Sequence, residues 1–297
     1  MRTDISFESA GTVCRGWFYP GQDATGPAPA IIMSHGITAV REQYLDRYAQ
    51  RFAAEGYAVL VFDYRHLGSS DGMPRGRVNP RLQQDDIRSA LSWVGKHPQV
   101  DPKRLALWGT SFSGAHAIVV GALDPRVRVV VTQVPAIDIP RSLMALIGRD
   151  GFAGLLQLLA DDHAARNSGA EGAAIPVVAP TGETSFLPRS DAFDWFTQTG
   201  KTIAPRWLNQ ISLESIARCA EYVPDSLIHL VAPKPLLIQA ATGDSLIPLE
   251  LTKGAFAQAG EPKRLEVYNC GHFDPYAVEP WHSQFVAGQL AWLKEHL

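Results

Sequence analysis

The sequence has little cysteine, no strong charge of either sign and no long apolar run. Its three cysteines, Cys14, Cys219 and Cys270, lie far apart and form no CxxC pair, so we expect free thiols in a reducing compartment. With 27 basic and 30 acidic residues, the net charge of −3 excludes the basic footprint typical of nucleic-acid-binding proteins. The longest nearly apolar run, residues 114–123, is far shorter than the roughly 18 residues expected of a membrane span.

Targeting and cofactor patterns are also missing from the sequence. The N-terminal residues lack the apolar segment of a secretory signal, so we expect a cytoplasmic protein that binds neither nucleic acid nor membrane. The HExxH, P-loop and GxGxxG patterns are absent, and the sequence therefore predicts no metal and no organic cofactor.

The apolar pattern of the 297 residues is that of an α/β protein. Short apolar strands alternate with amphipathic helices, which predicts a parallel sheet with right-handed crossovers. We predict strands over residues 4–8, 12–19, 29–34, 57–62, 104–108, 127–134, 235–240 and 264–268, and helices over residues 41–54, 81–96, 112–123, 248–258 and 281–296. The first two strands flank an Ala-Gly turn and predict an N-terminal β-hairpin.

The alternation of strands and helices stops near residue 136 and resumes near residue 231. We therefore predict an α/β core domain formed by residues 1–136 and 231–297, with a cap or lid inserted over residues 137–230. An apolar helical stripe and several aromatic residues in the insertion either line an apolar substrate pocket or bury the cap against the core. The stripe is Leu155, Leu156, Leu158 and Leu159, and the aromatic residues are Phe152, Phe186, Phe193, Trp195, Phe196 and Trp207.

The segment Gly109-Thr-Ser-Phe-Ser lies where a predicted strand meets a predicted helix. A nucleophilic serine protrudes from a strained turn of this kind, and the residues two positions to either side must be small to avoid a clash. The helix that opens behind Ser111 directs backbone N–H groups to the position of an oxyanion. We identify Ser111 as the candidate nucleophile, with Ser113 as an alternative because small residues flank it as well. A tight turn with a capping serine is the non-catalytic alternative.

A serine nucleophile needs a base and an orienting acid, which follow it in the chain at such an elbow. Asp244 and His272 each follow a predicted strand, so both lie at the carboxyl end of the sheet, where active sites of parallel sheets are found. We predict that His272 takes the proton of Ser111 and that Asp244 holds the imidazole in the required tautomer. Asp138 and Asp274 are the alternatives for the acid.

An oxyanion site needs two backbone donors. Phe112, directly after the candidate nucleophile, is predicted to supply one, and Ile37, in the loop after the third strand, the other. His35 is predicted to shape this loop and to contact the substrate. Trp195 and Trp207 of the insertion are predicted to bind the substrate as well.

With these segments in place, the sequence resembles the α/β-hydrolase superfamily. The segments that carry the resemblance, within roughly residues 28–280, are Ser34-His-Gly36, Asp63-Tyr-Arg-x-x-Gly-x-Ser-x-Gly72, Gly109-Thr-Ser-Phe-Ser-Gly114, Gly243-Asp244 and Gly271-His-Phe273. The run Trp108–His116 and the later Gly-His-Phe-Asp-Pro-Tyr are similar to a narrower subgroup of dienelactone-hydrolase-like and fungal polyketide-transferase-like proteins. True dienelactone hydrolases use a cysteine nucleophile, so Ser111 argues against that activity.

The resemblance implies the α/β-hydrolase fold, with a mostly parallel eight-stranded sheet flanked by helices and a helical cap. It implies acyl transfer to water, although the fold also hosts lyases, transferases and receptors. We therefore predict a serine hydrolase of carboxylic esters with an apolar, moderately bulky acyl or alcohol part, acting through an acyl-enzyme on Ser111. The alternatives are transfer of the acyl group to a non-water acceptor, cleavage of a lactone or C–C bond, and a non-catalytic ligand receptor. The predicted partner is a small-molecule ester or thioester, and a homodimer is left open.

Overall fold

The computed structural model describes residues 2–22 and 25–297. Its first two strands, β1 (Thr3–Ser9) and β2 (Thr12–Tyr19), form the predicted antiparallel hairpin. Ala10 and Gly11 in the turn have φ of 46° and 79°. Two left-handed residues in succession match the twist of a two-residue hairpin, which explains the tight connection.

The hairpin is one edge of an eight-stranded sheet with the strand order β1-β2-β4-β3-β5-β6-β9-β10. The remaining strands are β3 (Ala28–Ser34), β4 (Ala58–Phe62), β5 (Val100–Thr110), β6 (Val127–Gln133), β7 (Ala174–Ile175), β8 (Ile211–Ser212), β9 (Leu236–Gly243) and β10 (Lys263–Gly271). Strand β2 pairs antiparallel with both β1 and β4, and all other pairs of this sheet are parallel. The short strands β7 and β8 pair only with each other. The predicted mostly parallel eight-stranded sheet is therefore confirmed.

Helices cover both faces of the sheet. They are α1 (Leu45–Ala54), α2 (Pro80–Val94), α3 (Phe112–Leu123), α4 (Ile139–Asn167), α5 (Ser190–Thr202), α6 (Leu213–Ala220), α7 (Leu249–Gln258), α8 (Asp274–Ala277) and α9 (Trp281–His296), with a 3₁₀ helix over Pro224–Leu230. One apolar layer contains Ile87 of α2 and Ile118 of α3, and the opposite layer contains Phe52 of α1 and Val286 of α9. Because both faces are covered, a central strand such as β4 is buried along its whole length and shows no polar alternation.

The chain between β6 and β9 contains α4, α5, α6, the 3₁₀ helix and the small ladder of β7 and β8. The sequence analysis did not predict this ladder, because two-residue strands leave no alternation to detect. Helix α4 is interrupted at Gly148, whose φ of 76° and ψ of 169° are not helical. The boundaries of the cap, residues 137–230, stay a prediction.

Helix α4 contains an apolar stretch that the sequence analysis did not count. Within residues 2–22 and 25–297 it is the one helix whose length and composition suit a membrane span, and 17% of its apolar window is buried. Arg149 and Asp150 interrupt the apolar residues, which hides the stretch from a search for continuous runs. The core helices of soluble proteins can have the same length and composition, and the break at Gly148 divides this helix.

Candidate active site

The elbow that carries Ser111 is a single residue between β5 and α3. Ser111 has φ of 54° and ψ of −121°, a conformation that non-glycine residues rarely adopt and that is concentrated at functional sites. The turn is tight enough to require glycine beside it, since a Cβ on Gly109 would lie 2.0 Å from the carbonyl oxygen of Ser113. A Cβ on Gly114 would lie 2.7 Å from the Cβ of Pro135. The small residues of the motif are therefore explained by direct contacts.

Ser111, His272 and Asp244 form a continuous hydrogen-bonded chain at the carboxyl end of the sheet. The Ser111 Oγ lies 3.1 Å from the His272 Nε2, and the His272 Nδ1 lies 2.7 Å from the Asp244 Oδ2. A carboxylate only accepts, so the His272 Nδ1 donates to Asp244 and its Nε2 is left free to accept from the serine hydroxyl. The side chains of His272 and Asp244 are only 2% and 4% exposed, so the pair is shielded from water.

Asp244 is held by its own loop as well as by His272. Its Oδ1 accepts from the backbone N–H groups of Leu246, at 2.9 Å, and Ile247, at 2.8 Å. These two bonds fix the carboxylate plane and leave Oδ2 for the imidazole. On the other side, Phe273 packs edge-on against the His272 ring at a centroid distance of 4.9 Å. Both members of the pair are therefore held in place before any substrate binds.

The alternatives weighed from the sequence lie elsewhere in the structure. Ser113 is inside α3, fully buried, and bonded to the Tyr64 hydroxyl at 2.7 Å. Asp138 caps α4 by accepting from the Arg141 N–H at 2.9 Å. Asp274 accepts from the backbone N–H of Gly271 at 2.7 Å. None of the hydrogen bonds found for these residues in the described part of the chain reaches His272.

The loop that holds Ile37 passes directly over Ser111. A Cβ on Gly36 would lie 3.2 Å from the Ser111 Cβ. The Gly36 carbonyl accepts from the Ala39 N–H at 3.2 Å and faces the His35 Nδ1 at 3.0 Å. In a trans peptide the N–H points opposite to the carbonyl, so these two contacts turn the Ile37 N–H away from His35.

The second predicted oxyanion donor is at the start of α3. Phe112 is the first residue of this helix, and the first N–H groups of a helix have no intrahelical acceptor. Its backbone N–H adjoins Ser111, and Phe112 and Ile37 both line the same cavity as Ser111. The structure thus brings the two predicted donors to the candidate nucleophile.

The Asp-Tyr-Arg segment of the sequence supports this loop, a role that the sequence analysis did not identify. Asp63 is fully buried and accepts from the backbone N–H of Arg41 at 2.8 Å. It also forms a buried ion pair with the Arg41 guanidinium. A Cβ on Gly68 would lie 2.3 Å from the Asp63 carboxylate, which explains the glycine of the motif. The charged and small residues that follow β4 in the sequence were the signal that could have indicated this supporting role.

An apolar cavity opens at Ser111 and His272. Its empty space, counted out to the open mouth and including the solvent there, is about 650 Å³. The lining from the core side includes Ile37, Phe112, Leu246, Ile247 and Phe273, and the lining from the insertion includes Ile139, Leu143, Leu146, Phe186, Leu187, Trp195 and Phe196. The core and the insertion therefore both contribute to the apolar wall.

The cavity corrects two of the predicted substrate contacts. Trp195 lines it, but His35 is fully buried and Trp207 stacks on Phe196 at a centroid distance of 5.1 Å. Neither His35 nor Trp207 is among the lining residues. Sequence position placed them in the correct segments, but the direction of their side chains depends on tertiary packing.

Two of the four leucines in the apolar stripe of α4 have one of the roles considered from the sequence, because they bury the insertion against the core. Leu159 belongs to the apolar cluster that also contains Phe112, and Leu155 packs against this cluster. Leu159 is buried, whereas Leu156 and Leu158 are 47% and 43% exposed. These two side chains neither line the cavity nor pack against the core.

The electrostatics near Ser111 disfavour Cys270 as a competing nucleophile. The nearby Cys270 thiol has its pKa raised to about 12 by burial and by the carboxylates of Asp274 and Asp244, so it stays protonated at neutral pH. Burial lowers the pKa of His35, which keeps this ring neutral beneath the loop. Within residues 2–22 and 25–297, no group of three or more His, Cys, Asp or Glu side chains is arranged to hold a metal ion.

Comparisons with known proteins identify the family. A model of the X-Pro dipeptidyl-peptidase (S15 family) matches residues 17–176, more than half of the chain. The quorum-quenching protein AidA of Acinetobacter baumannii is 30% identical over 296 residues, which cover 98% of this chain and 94% of AidA. The thiohydrolase apmlB of Arthrinium phaeospermum is 31% identical, over 89% of this chain and 86% of its own.

Solved structures agree with this result. The crystal structure of the α/β hydrolase GrgF from Penicillium sp. sh18 superposes with a TM-score of 0.84 at 27% identity, over 100% of this chain and 99% of GrgF. GrgF corresponds to a relative named polyketide transferase, so the predicted likeness to that subgroup is confirmed. The chain belongs to the X-Pro dipeptidyl-peptidase (S15) family of α/β hydrolases and is an enzyme of the α/β-hydrolase type.

Proposed function

We propose that this protein is a serine hydrolase that cleaves apolar carboxylic esters or thioesters through an acyl-enzyme on Ser111. The observation that carries the proposal is the chain from Ser111 through His272 to Asp244, which opens onto an apolar cavity. A serine hydroxyl is a poor nucleophile unless an adjacent base accepts its proton, and this arrangement supplies that base and its orienting acid.

Acylation begins when the Ser111 Oγ attacks the carbonyl carbon of the bound ester. The Ser111 proton passes to the His272 Nε2, 3.1 Å away, and Asp244 stabilises the resulting imidazolium. The tetrahedral oxyanion accepts from the backbone N–H groups of Ile37 and Phe112. When the intermediate collapses, His272 gives the proton to the leaving alcohol or thiol, and the acyl group stays on Ser111.

Deacylation repeats the same steps with water. His272 accepts a proton from the water molecule as its oxygen attacks the acyl carbon, and the same two backbone N–H groups hold the second oxyanion. Collapse returns the proton from His272 to the Ser111 Oγ and releases the carboxylic acid. Each cycle consumes one ester and one water and needs no further reactant.

The cavity wall indicates the class of acyl or alcohol group. Its polar side chains are Ser111, Ser142, His272 and the Tyr276 hydroxyl, and the last is bonded to Thr110 at 2.7 Å. Among the residues that the structure describes, no carboxylate lines it, and a buried ammonium without a partner is strongly unfavourable. This argues against a peptide with a free N-terminus, the substrate that the family name suggests, and favours an uncharged apolar group.

A second candidate is transfer of the acyl group to an acceptor other than water. The names of some relatives favour it, since polyketide transferases of fungi are among them. Transfer and hydrolysis share the acyl-enzyme and differ only in the group that attacks it. The choice depends on how well the cavity admits the acceptor.

The test compares p-nitrophenyl hexanoate hydrolysis by the wild-type protein and by Ser111→Ala, with and without an added alcohol or thiol. We expect the wild type to turn over the ester and Ser111→Ala to lose the activity. Turnover retained by Ser111→Ala contradicts the proposal. Formation of a hexanoyl ester or thioester faster than hexanoic acid would favour the transferase over the hydrolase.

We propose that the protein acts in the cytoplasm on a small-molecule ester or thioester, without a nucleic-acid or membrane partner. The oligomeric state, monomer or homodimer, is to be read from light scattering of the purified protein.

A further inference from the structure

Helix α5 contacts both loops that carry the candidate catalytic groups. We name residues 36–43, which follow β3 and include Ile37, the oxyanion loop. We name residues 244–247, which follow β9 and include Asp244, the acid loop. The helix has 13 residues and is therefore about 20 Å long, enough to reach from one loop to the other.

The first turn of α5 is bonded to the acid loop. The Ser245 hydroxyl, adjacent to Asp244, donates to the Asp191 Oδ2 at 2.7 Å. Arg189, the residue before the helix, donates through Nε to the Ser245 carbonyl at 3.3 Å and through Nη2 to the Leu146 carbonyl at 2.9 Å. Leu146 ends the first half of α4, just before the break at Gly148, so Arg189 also ties the cavity wall to the acid loop.

The last turn of α5 is bonded to the oxyanion loop. The amide of Gln43 donates through Nε2 to the Thr199 hydroxyl at 2.7 Å, and its Oε1 accepts from the Val40 N–H at 3.0 Å. The Thr199 hydroxyl in turn donates to the Trp195 carbonyl at 2.8 Å. Gln43 is fully buried and Thr199 is 1% exposed, so this chain of bonds is protected from competing water.

The middle of α5 faces the substrate cavity. Trp195 and Phe196 line it, and the Trp195 ring stacks on Phe273 with a centroid distance of 5.0 Å and an interplanar angle of 28°. Phe273 in turn packs against the ring of His272. The same rigid helix thus holds the acid loop, the oxyanion loop and one wall of the cavity.

We infer that α5 sets the relative position of the two catalytic loops, with Ser245 and Asp191 at one end and Gln43 and Thr199 at the other acting as positioning residues. The inference rests on the proposed function, since it assigns these residues to the serine mechanism. The physical reason is that oxyanion donors and an acid–base pair act only when placed within a fraction of an ångström of the reacting atoms. The contacts at each end of α5 restrict that placement.

Two substitutions test the two ends separately. Ser245→Ala removes the bond to Asp191, and Thr199→Val removes the acceptor of the Gln43 amide while keeping a β-branched side chain. Each is expected to lower kcat for p-nitrophenyl hexanoate about tenfold or more with KM within about twofold, because the lost contact acts on the transition state rather than on binding. The downfield proton resonance of the His272 Nδ1–H is expected to broaden in Ser245→Ala and to stay unchanged in Thr199→Val.

Matched variants separate positioning from general damage to the helix. Thr197→Val removes a hydroxyl that bonds only within α5, to the Phe193 carbonyl at 2.6 Å, and is expected to keep the wild-type kcat. Thr199→Ser keeps an oxygen that accepts the same bond from Gln43 and is expected to keep most of the activity. Ser245 lies half-buried on a loop, so its variant provides the test if Thr199→Val does not fold.

The outcomes distinguish this inference from the proposed function. Three results would overturn the inference while leaving the serine mechanism intact. The first is a wild-type kcat in both folded variants, Ser245→Ala and Thr199→Val. The second is a loss of kcat in only one of them, and the third is an equal loss of kcat in Thr197→Val. Failure of the wild type to hydrolyse the ester or to react with a fluorophosphonate would overturn the proposed function, and the inference with it. Loss in both variants, with Thr197→Val active, supports the inference.

Discussion

Replacing Asp244 by asparagine tests whether the acid controls the tautomer of His272. The Asp244 Oδ1 accepts two backbone N–H groups of its loop, and only Oδ2 faces the imidazole. In Asp244→Asn the amide oxygen must take the place of Oδ1, since an NH₂ group there would face two donors. The amide NH₂ then points at the His272 Nδ1.

The consequence for the base follows from this forced orientation. A donor facing Nδ1 requires that nitrogen to be unprotonated, so the proton of neutral His272 moves to Nε2, which then cannot accept from Ser111. Loss of the correct tautomer in a serine triad lowers kcat by about 10⁴, equivalent to roughly 5.4 kcal/mol of transition-state stabilisation. We expect a loss of this size with the fold unchanged, since all backbone contacts of the acid loop persist.

The assay is kcat for p-nitrophenyl hexanoate, with thermal unfolding as the check on folding. Asp274→Asn is the matched control, because Asp274 accepts from Gly271 and does not contact His272, and it is expected to lose little activity. A kcat of Asp244→Asn within tenfold of the wild type would refute the reasoning. Equal large losses in both variants would show that the effect does not come from the His272 tautomer.

Three further predictions concern stability and specificity. Arg65→Met removes the ion-pair partner, 2.6 Å away, of the fully buried Asp86. It is expected to lower the free energy of unfolding, measured by urea titration, by about 3–5 kcal/mol. An unchanged free energy of unfolding would contradict a stabilising role of this pair. Burial lowers the pKa of His116 from 6.5 to about 3, so the unfolded chain binds a proton that the folded protein does not. The free energy of unfolding is therefore expected to decline as pH falls from about 6.5 towards 3. His116→Gln is expected to flatten this dependence by up to about 1.4 kcal/mol per pH unit. An unchanged slope in the variant would exclude a contribution from His116. Trp195→Ala removes the stack on Phe273. It is expected to lower kcat/KM about tenfold or more for a hexanoyl ester and by a smaller factor for an acetyl ester. Equal losses for the two esters would show that Trp195 does not contact the acyl chain.

Much of the fold was accessible from the sequence because its signals are local. The buried strands read as short apolar runs, so β4 was placed to within a residue. Helices α1 and α2 bury every third or fourth residue, and this period was readable as well. The elbow was equally readable, since Gly109 is required by its contact with Ser113, two residues after Ser111. Residues at the ends of β9 and β10 converge because parallel strands end at one edge of the sheet.

The rest depends on contacts between distant segments. The direction of Trp207 is set by stacking on Phe196, and that of His35 by packing against Tyr64, neither of which leaves a periodic signal. The bond from Gln43 to Thr199 joins positions 156 residues apart. The insertion is the least readable part of the chain, because its break at Gly148 and its two-residue strands have no characteristic pattern.

The central claim is that Ser111 is an activated nucleophile. The most direct measurement is incubation of the folded protein with a fluorophosphonate, followed by peptide mass spectrometry to locate the adduct. The account predicts a single adduct on Ser111 that disappears in Ser111→Ala. An adduct on Ser113, or no adduct in a folded sample, would contradict it.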